Sequence, residues 1–203
     1  EFTTFFKQYY TELDKDTDVN NLFKQVKSRL HPMDVIRTIV SYIGESEKKS
    51  DLELTTQISA AVAYVIASYN ENDTSELNDE YTVASSMLSN NASDDQLQAL
   101  DDILILYAEH GFNASTFATR VTGSTRSDLT SAIVSGIGTL KGELHGGANE
   151  RAVELINSFK DVDDAPSGVM KMLEEKKKIM GFGHGVYKIQ DPRSPVVKSW
   201  VEK

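Results

Sequence analysis

Three of the four histidines share one setting: His110-Gly111, His145-Gly146 and His184-Gly185. Each imidazole follows or interrupts a helical pattern. Each is followed by glycine, which tolerates positive φ and lets backbone approach a ligand closely. Side chains at the ends of elements project into clefts, and imidazole can donate, accept or carry a proton near neutral pH. A single such histidine reads more readily as a group satisfying the free carbonyls of a helix C-terminus. Three of them, beside glycine-rich loops and Arg193, favour a site. The fourth, His31, stands before Pro32 at a helix start and reads as structural. Zinc is disfavoured, because the three histidines span 75 residues without an i, i+4 pair and the chain has no cysteine.

Two neighbouring features fit an anionic ligand. Asp191-Pro192-Arg193 reads as a turn into a helix opened by Pro192. The planar fork of Arg193 suits a two-bond grip on a carboxylate, the competing reading being an ion pair with Asp191 or Glu202. Gly181-Phe182-Gly183 is no dinucleotide fingerprint, lacking a third glycine and a preceding strand. It reads as a loop ahead of His184 whose backbone amides face a ligand. Residues 171–203 carry a net charge of +4, leaving −14 on the remainder. Within that segment, Glu174-Glu175-Lys176-Lys177-Lys178 is by itself an ordinary solvated helix end.

The elements that must hold these groups are helical nearly throughout. Phe2, Phe5, Phe6, Tyr9, Tyr10 and Leu13 make one stripe, and Leu22, Phe23, Val26 and Leu30 a second. A third helix opens at Pro32 and stops at Gly44, and a longer buried one runs from Leu54 to Tyr69. After the polar stretch 70–79, a weak helix reaches about Leu88. Ser93 and Gln96 then form a capping box before Leu97, Leu100, Leu104 and Tyr107. Ser127 is expected to cap the next helix, where Ala132 and Gly136 are small enough to admit a close neighbour. Another helix carries Ala152 to Phe159. One more opens at Pro166 and runs to about Lys178, and Pro192 starts the last. With β-type alternation scarce, the fold class is all-α.

Composition excludes several classes. A formal charge of −10 argues against non-specific nucleic-acid binding and against adhesion to an anionic membrane. The longest apolar run, Ala60 to Ala67, is far too short to span a bilayer, and no signal peptide is visible. Lack of cysteine is compatible with a reducing compartment, and a cytoplasmic location is expected. The chain opens on Glu1 and closes in mid-pattern at Trp200 to Lys203, so a fragment of a longer protein is expected.

Four stretches carry a family resemblance: Tyr107-Ala-Glu-His110-Gly-Phe-Asn-Ala-Ser-Thr116, Lys141-Gly-Glu-Leu-His145-Gly-Gly-Ala-Asn-Glu150, Gly181-Phe-Gly-His184-Gly-Val-Tyr-Lys188 and Asp191-Pro-Arg193. In order and separation they resemble the citrate synthase family, which includes 2-methylcitrate synthases. His31-Pro-Met-Asp-Val-Ile-Arg-Thr38 is a further similar segment. The resemblance is strong from about residue 97 to 198 and looser before.

The resemblance implies a citrate synthase-like helical fold, with part of a large domain over 1–146 and part of a small domain over 147–203. It implies a homodimer that condenses acetyl-CoA with oxaloacetate to citrate and CoA, or propionyl-CoA in a 2-methylcitrate synthase. His145 would stabilise the enol form of the thioester, and His184 would polarise and protonate the keto oxygen. His110 and Arg193 would bind oxaloacetate. Gly181, Gly183 and Lys188 match the coenzyme A-binding region. No tightly bound cofactor and no metal is implied, since the acyl-CoA is a co-substrate, and neither nucleic acid nor membrane is an expected partner. The family's catalytic aspartate and further substrate-binding arginines match positions downstream of Lys203, so these 203 residues alone are expected to be inactive. Glu143 stands where proline is usual, and Gly185 where many members carry arginine. A reading of another class is a non-catalytic binding or oligomerisation module. A plain helical interaction domain would present no ligand cleft.

Overall fold

The aromatic stripe of the opening residues becomes the inner face of α1 (Phe2–Lys15), with Phe6, Tyr9, Tyr10 and Leu13 buried. A computed structural model describes residues 1–44, 49–70, 83–88, 91–108, 111–183 and 187–202. Asp16 then caps α2 (Thr17–Lys27), its carboxylate accepting from the N–H groups of Asp18 and Val19. Leu30, expected on the stripe of this helix, lies beyond its end and is exposed. α3 (Pro32–Ile43) has proline in its first turn and His31 as N-cap. α4 (Asp51–Tyr69) opens on a complete capping box of Ser50 and Glu53, a device that stabilises a helix by about 1 kcal/mol.

These four helices enclose the core. α4 is apolar on nearly every side, and its Ala60, Ala61, Ala63 and Ala67 have no exposed surface, which lets α1 and α3 pack closely on it. Tyr10 and Tyr64 meet edge to face with ring centroids 5.8 Å apart. Lys27 spans α2 and α4, its Nζ donating to the Ser68 carbonyl at 2.9 Å above the rings of Phe23 and Tyr69.

The short α5 (Val83–Met87) links α4 to α6 (Asp94–Ala108), which begins on the expected Ser93–Gln96 box. α7 (Ala114–Ser124) and α8 (Leu129–Leu140) pack tightly on each other, and α8 packs on α3. A Cβ on Gly136 would fall 2.3 Å from the Thr119 hydroxyl, so the small-residue step on α8 does admit a close neighbour. A Cβ on Gly44, at the end of α3, would strike the Thr130 side chain at 2.2 Å. α9 (Gly147–Ser158), α10 (Ala165–Glu174) and α11 (Ser194–Val201) follow, with no buried residue among them. No strand occurs among the described residues.

Several boundaries differ from expectation. Asp128, not Ser127, caps α8, because its two oxygens take both the backbone N–H and the hydroxyl of Ser131. α10 ends at Glu174, four residues early, as the backbone turns left-handed at Lys176 (φ 54°). The last helix begins at Ser194, with Pro195 rather than Pro192 in its first turn. α7 was not anticipated at all. Its Ser, Thr and Gly content is poor for a helix, and packing on α8 holds it.

Candidate active site

His145 lies in the stretch of turns between α8 and α9. Its amide donates to the Gly142 carbonyl at 2.9 Å, and the Gly147 amide donates to the same oxygen at 3.1 Å. The glycines after it are needed for close approach. A Cβ on Gly146 would meet the Leu140 carbonyl at 2.5 Å, and one on Gly147 the Gly142 carbonyl at 2.9 Å. Positive φ, expected after each histidine, is absent here, since Gly146 is right-handed (φ −60°). Gly111 does adopt it (φ 77°).

The His145 ring is half-buried against the N-terminus of α7. Its Nε2 accepts the Ser115 backbone N–H at 3.3 Å and lies 3.0 Å from the Ser115 hydroxyl. That amide belongs to the first helical turn, where N–H groups have no partner within the helix. A backbone N–H can only donate, and the positive end of α7 favours a lone pair over a proton on the nitrogen facing it. Nε2 is therefore the acceptor, and the neutral ring carries its proton on Nδ1. Asn113 braces the arrangement, its Oδ1 accepting from the Thr116 amide at 2.9 Å and the Ser115 hydroxyl at 2.7 Å.

Arg193 lies against the C-terminal turn of α6. Its Cζ lies 4.7 Å from the centre of the Tyr107 ring, on the last turn of α6. The fork is already occupied: Nε donates to Asp191 Oδ1 at 3.0 Å and Nη2 to Oδ2 at 2.6 Å. Of the two readings of Arg193, the ion pair with Asp191 is thus present, and the two-bond grip is made on this internal carboxylate. Its hydrogen bonds to Asp191 push the guanidinium's pKa further up, so it stays charged. Nη1 is buried with no hydrogen-bond partner. A hollow of about 360 Å³ adjoins Arg193, lined also by Tyr107, Asp191, Ser194, Val197 and Lys198 among others.

His110 and His184 lie outside the described residues, so the convergence of three imidazoles is not on view. The flanks of His110 are. Tyr107 touches Arg193 and Ser115 touches His145, and position 110 lies between Tyr107 and Ser115 in the sequence. In the glycine loop, Gly181 (φ 89°) and Gly183 (φ 83°) both need the left-handed region, and Phe182 is 81% exposed. A Cβ on Gly181 would touch the Ala152 side chain at 3.4 Å, so this loop lies beside α9, just past the His145 motif. Lys188 is exposed. Ser115, Asn113 and Asp191 also shape the site, although their motifs alone assign them no part in it. The Asn-x-x-Thr spacing of a helix cap and the Asp-Pro-Arg spacing were the signals available for them.

A family model described as the citrate synthase C-terminal domain matches residues 1–203. The chain belongs to the citrate synthase family. Among its citrate synthase relatives, a 2-methylcitrate synthase of Shewanella oneidensis is 40% identical over 96% of this chain and 56% of its own length. The citrate synthase of Deinococcus radiodurans is 36% identical over 89% and 52%. The chain spans about half the length of these curated relatives. The fold agrees as well. The citrate synthase of Thermotoga maritima superposes with a TM-score of 0.74 at 29% identity, over 98% of this chain and 55% of that one. The ternary complex of carboxymethyl coenzyme A and oxaloacetate with citrate synthase from Thermoplasma acidophilum superposes at 0.77, also at 29% identity, over 96% and 55%.

Proposed function

We propose that the complete gene product joins the α-carbon of an acyl-CoA to the keto carbon of oxaloacetate and then hydrolyses the thioester. The observation that supports this reading is the pair of contacts made by Tyr107 with Arg193 and by Ser115 with His145. In the sequence, position 110 lies between the residue that meets Arg193 and the residue that meets His145.

The chemistry follows from the tautomer. A general base from the rest of the protein removes the α-proton of the thioester. His145 donates its Nδ1–H to the thioester oxygen as enolate charge develops there, which is where a prepositioned donor lowers a barrier most. The α-carbon attacks the keto carbon, and the keto oxygen takes a proton from His184. Water then cleaves the thioester, releasing the tricarboxylate and the CoA thiol. The free Nη1 of Arg193, with His110, holds a carboxylate of oxaloacetate, while Gly181, Gly183 and Lys188 receive coenzyme A. The ligands of the Thermoplasma relative, carboxymethyl coenzyme A and oxaloacetate, support this choice of substrates.

Acetyl-CoA is the first reading of the acyl donor. Propionyl-CoA is the second, favoured by the Shewanella relative. One methylene changes binding by only about 1–3 kcal/mol, so the choice lies in a few contacts around the acyl group. Residues 1–146 belong to a large domain and 147–203 to a small one, in keeping with the lack of buried residues in α9 to α11. A cytoplasmic homodimer, part of the tricarboxylic acid cycle, completes the reading. The test is release of CoA thiol by the complete gene product when acetyl-CoA or propionyl-CoA is supplied with oxaloacetate. Release that requires oxaloacetate is expected, and the faster acyl-CoA names the substrate. Failure of both under conditions where the protein is folded overturns the reading in favour of a non-catalytic module.

A further inference from the structure

We infer that the start of α3 is a two-armed clamp that sets the position of His145, with Asp34 and His31 as positioning residues. The inference rests on the role proposed for His145. One arm is Asp34. Its Oδ2 accepts from Lys141 Nζ at 2.5 Å, and its Oδ1 is 2.9 Å from Arg37 Nη2, which squares the carboxylate up to Lys141. Lys141 is the C-cap of α8, four residues before His145. The other arm is His31. Its Nδ1 accepts the Met33 amide at 3.2 Å, so Nε2 carries the proton and faces both oxygens of Glu150 at 3.1 Å. Glu150 is in the first turn of α9, five residues after His145. The stretch bearing the imidazole is therefore gripped on both flanks by residues three apart in sequence.

The mount is rigid. Directly after the clamp, α3 sinks Val35, Ile36, Ile39 and Val40 into the core. The stretch between the arms is rigid too, since its turns share the Gly142 carbonyl and Gly146 and Gly147 leave no room for a side chain. A shift at either flank is passed to the ring. The arms are unequal. The Asp34 side chain is 16% exposed, whereas those of His31 and Glu150 are 33% and 55% exposed, and exposed ion pairs contribute little. Asp34–Lys141 is the principal arm. None of the four residues needs to touch substrate.

Two measurements on Asp34→Asn and Lys141→Met test this. In the complete gene product, turnover is expected to fall about tenfold while the apparent KM for oxaloacetate stays within about twofold, because small misplacements of a reacting group reduce rate steeply. The reversed pair Asp34→Lys/Lys141→Asp should recover part of the loss. In the 203-residue chain itself, long-range ¹H–¹⁵N spectra of the imidazoles should show His145 Nε2 as unprotonated in the native protein, and averaging of its two nitrogens in either variant. A merely structural pair would alter unfolding temperature and leave these nitrogens alone. His145 signals unchanged in a folded Lys141→Met chain overturn the clamp, even if Asp34→Asn fails to fold. Inactivity of the native gene product would defeat the proposed reaction, yet the spectra would still decide the clamp.

Discussion

The proton on Nδ1 of His145 is the residue-scale feature on which the proposed chemistry depends, and a main-chain group sets it. Ser115→Ala keeps the backbone N–H and removes only the hydroxyl, so turnover should drop no more than a few-fold. Ser115→Pro removes the N–H at a first-turn position where proline is tolerated, and should cost far more. Steady-state rates of the two variants side by side check this, and equal rates would assign the ring's orientation to the hydroxyl instead. Arg193→Ala should raise the apparent KM for oxaloacetate about tenfold or more, as expected for losing a charged hydrogen bond. An unchanged KM would leave Asp191 as the only carboxylate it serves. Asp34 makes a pH prediction. Its hydrogen bond to Lys141, with the charges of Lys141 and Arg37, holds its carboxyl below the ordinary range. The folded value lies below the unfolded one, so its stabilising effect is full above about pH 4 and fades as pH falls through the folded value. Urea unfolding of native and Asp34→Asn chains should differ near neutrality and converge in acid.

At the scale of elements, the helix that carries the clamp is seated against α8 through a contact with no spare room. Gly44→Ala drives a methyl into Thr130, whose own hydroxyl is buried without a partner. The substitution should destabilise by about 1–3 kcal/mol, the usual effect of overpacking, and Gly44→Ala/Thr130→Ala should regain part of it in thermal unfolding. Apolar periodicity made α1 to α4 legible, because each presents one face to a single core, and the Ser93–Gln96 box was legible because its spacing is its mechanism. α7 was not legible, as its Ser, Thr and Gly residues have weak propensity and only packing on α8 reveals why they are needed. The positive φ expected at Gly146 is not what the position requires; crowding at the end of α8 is why glycine stands there. Asp191 illustrates what spacing alone leaves open. The same Asp-Pro-Arg turn allows Arg193 to face a ligand or its own neighbour, and the structure shows most of the fork spent on the neighbour.

Across the whole molecule, order is uneven. The core lies in α1 to α4, whereas Val153, Ile156, Met170, Leu173 and Val201 of the last three helices are more than half exposed. Such apolar surface promotes association. Sedimentation of the 203-residue chain should show mass rising with concentration, and a strictly monomeric chain would mean that this surface is inert. The unevenness suits the proposed site, which draws His145 from the turns after α8 and Arg193 from the start of α11. The most direct test is the turnover of the complete gene product carrying His145→Ala, measured beside the native protein with acyl-CoA and oxaloacetate. A fall of about a hundredfold or more, with helical content and unfolding temperature preserved, is predicted for a ring that acts on the reacting thioester. Turnover within twofold of native would contradict the account, because the imidazole would then have no part in the reaction.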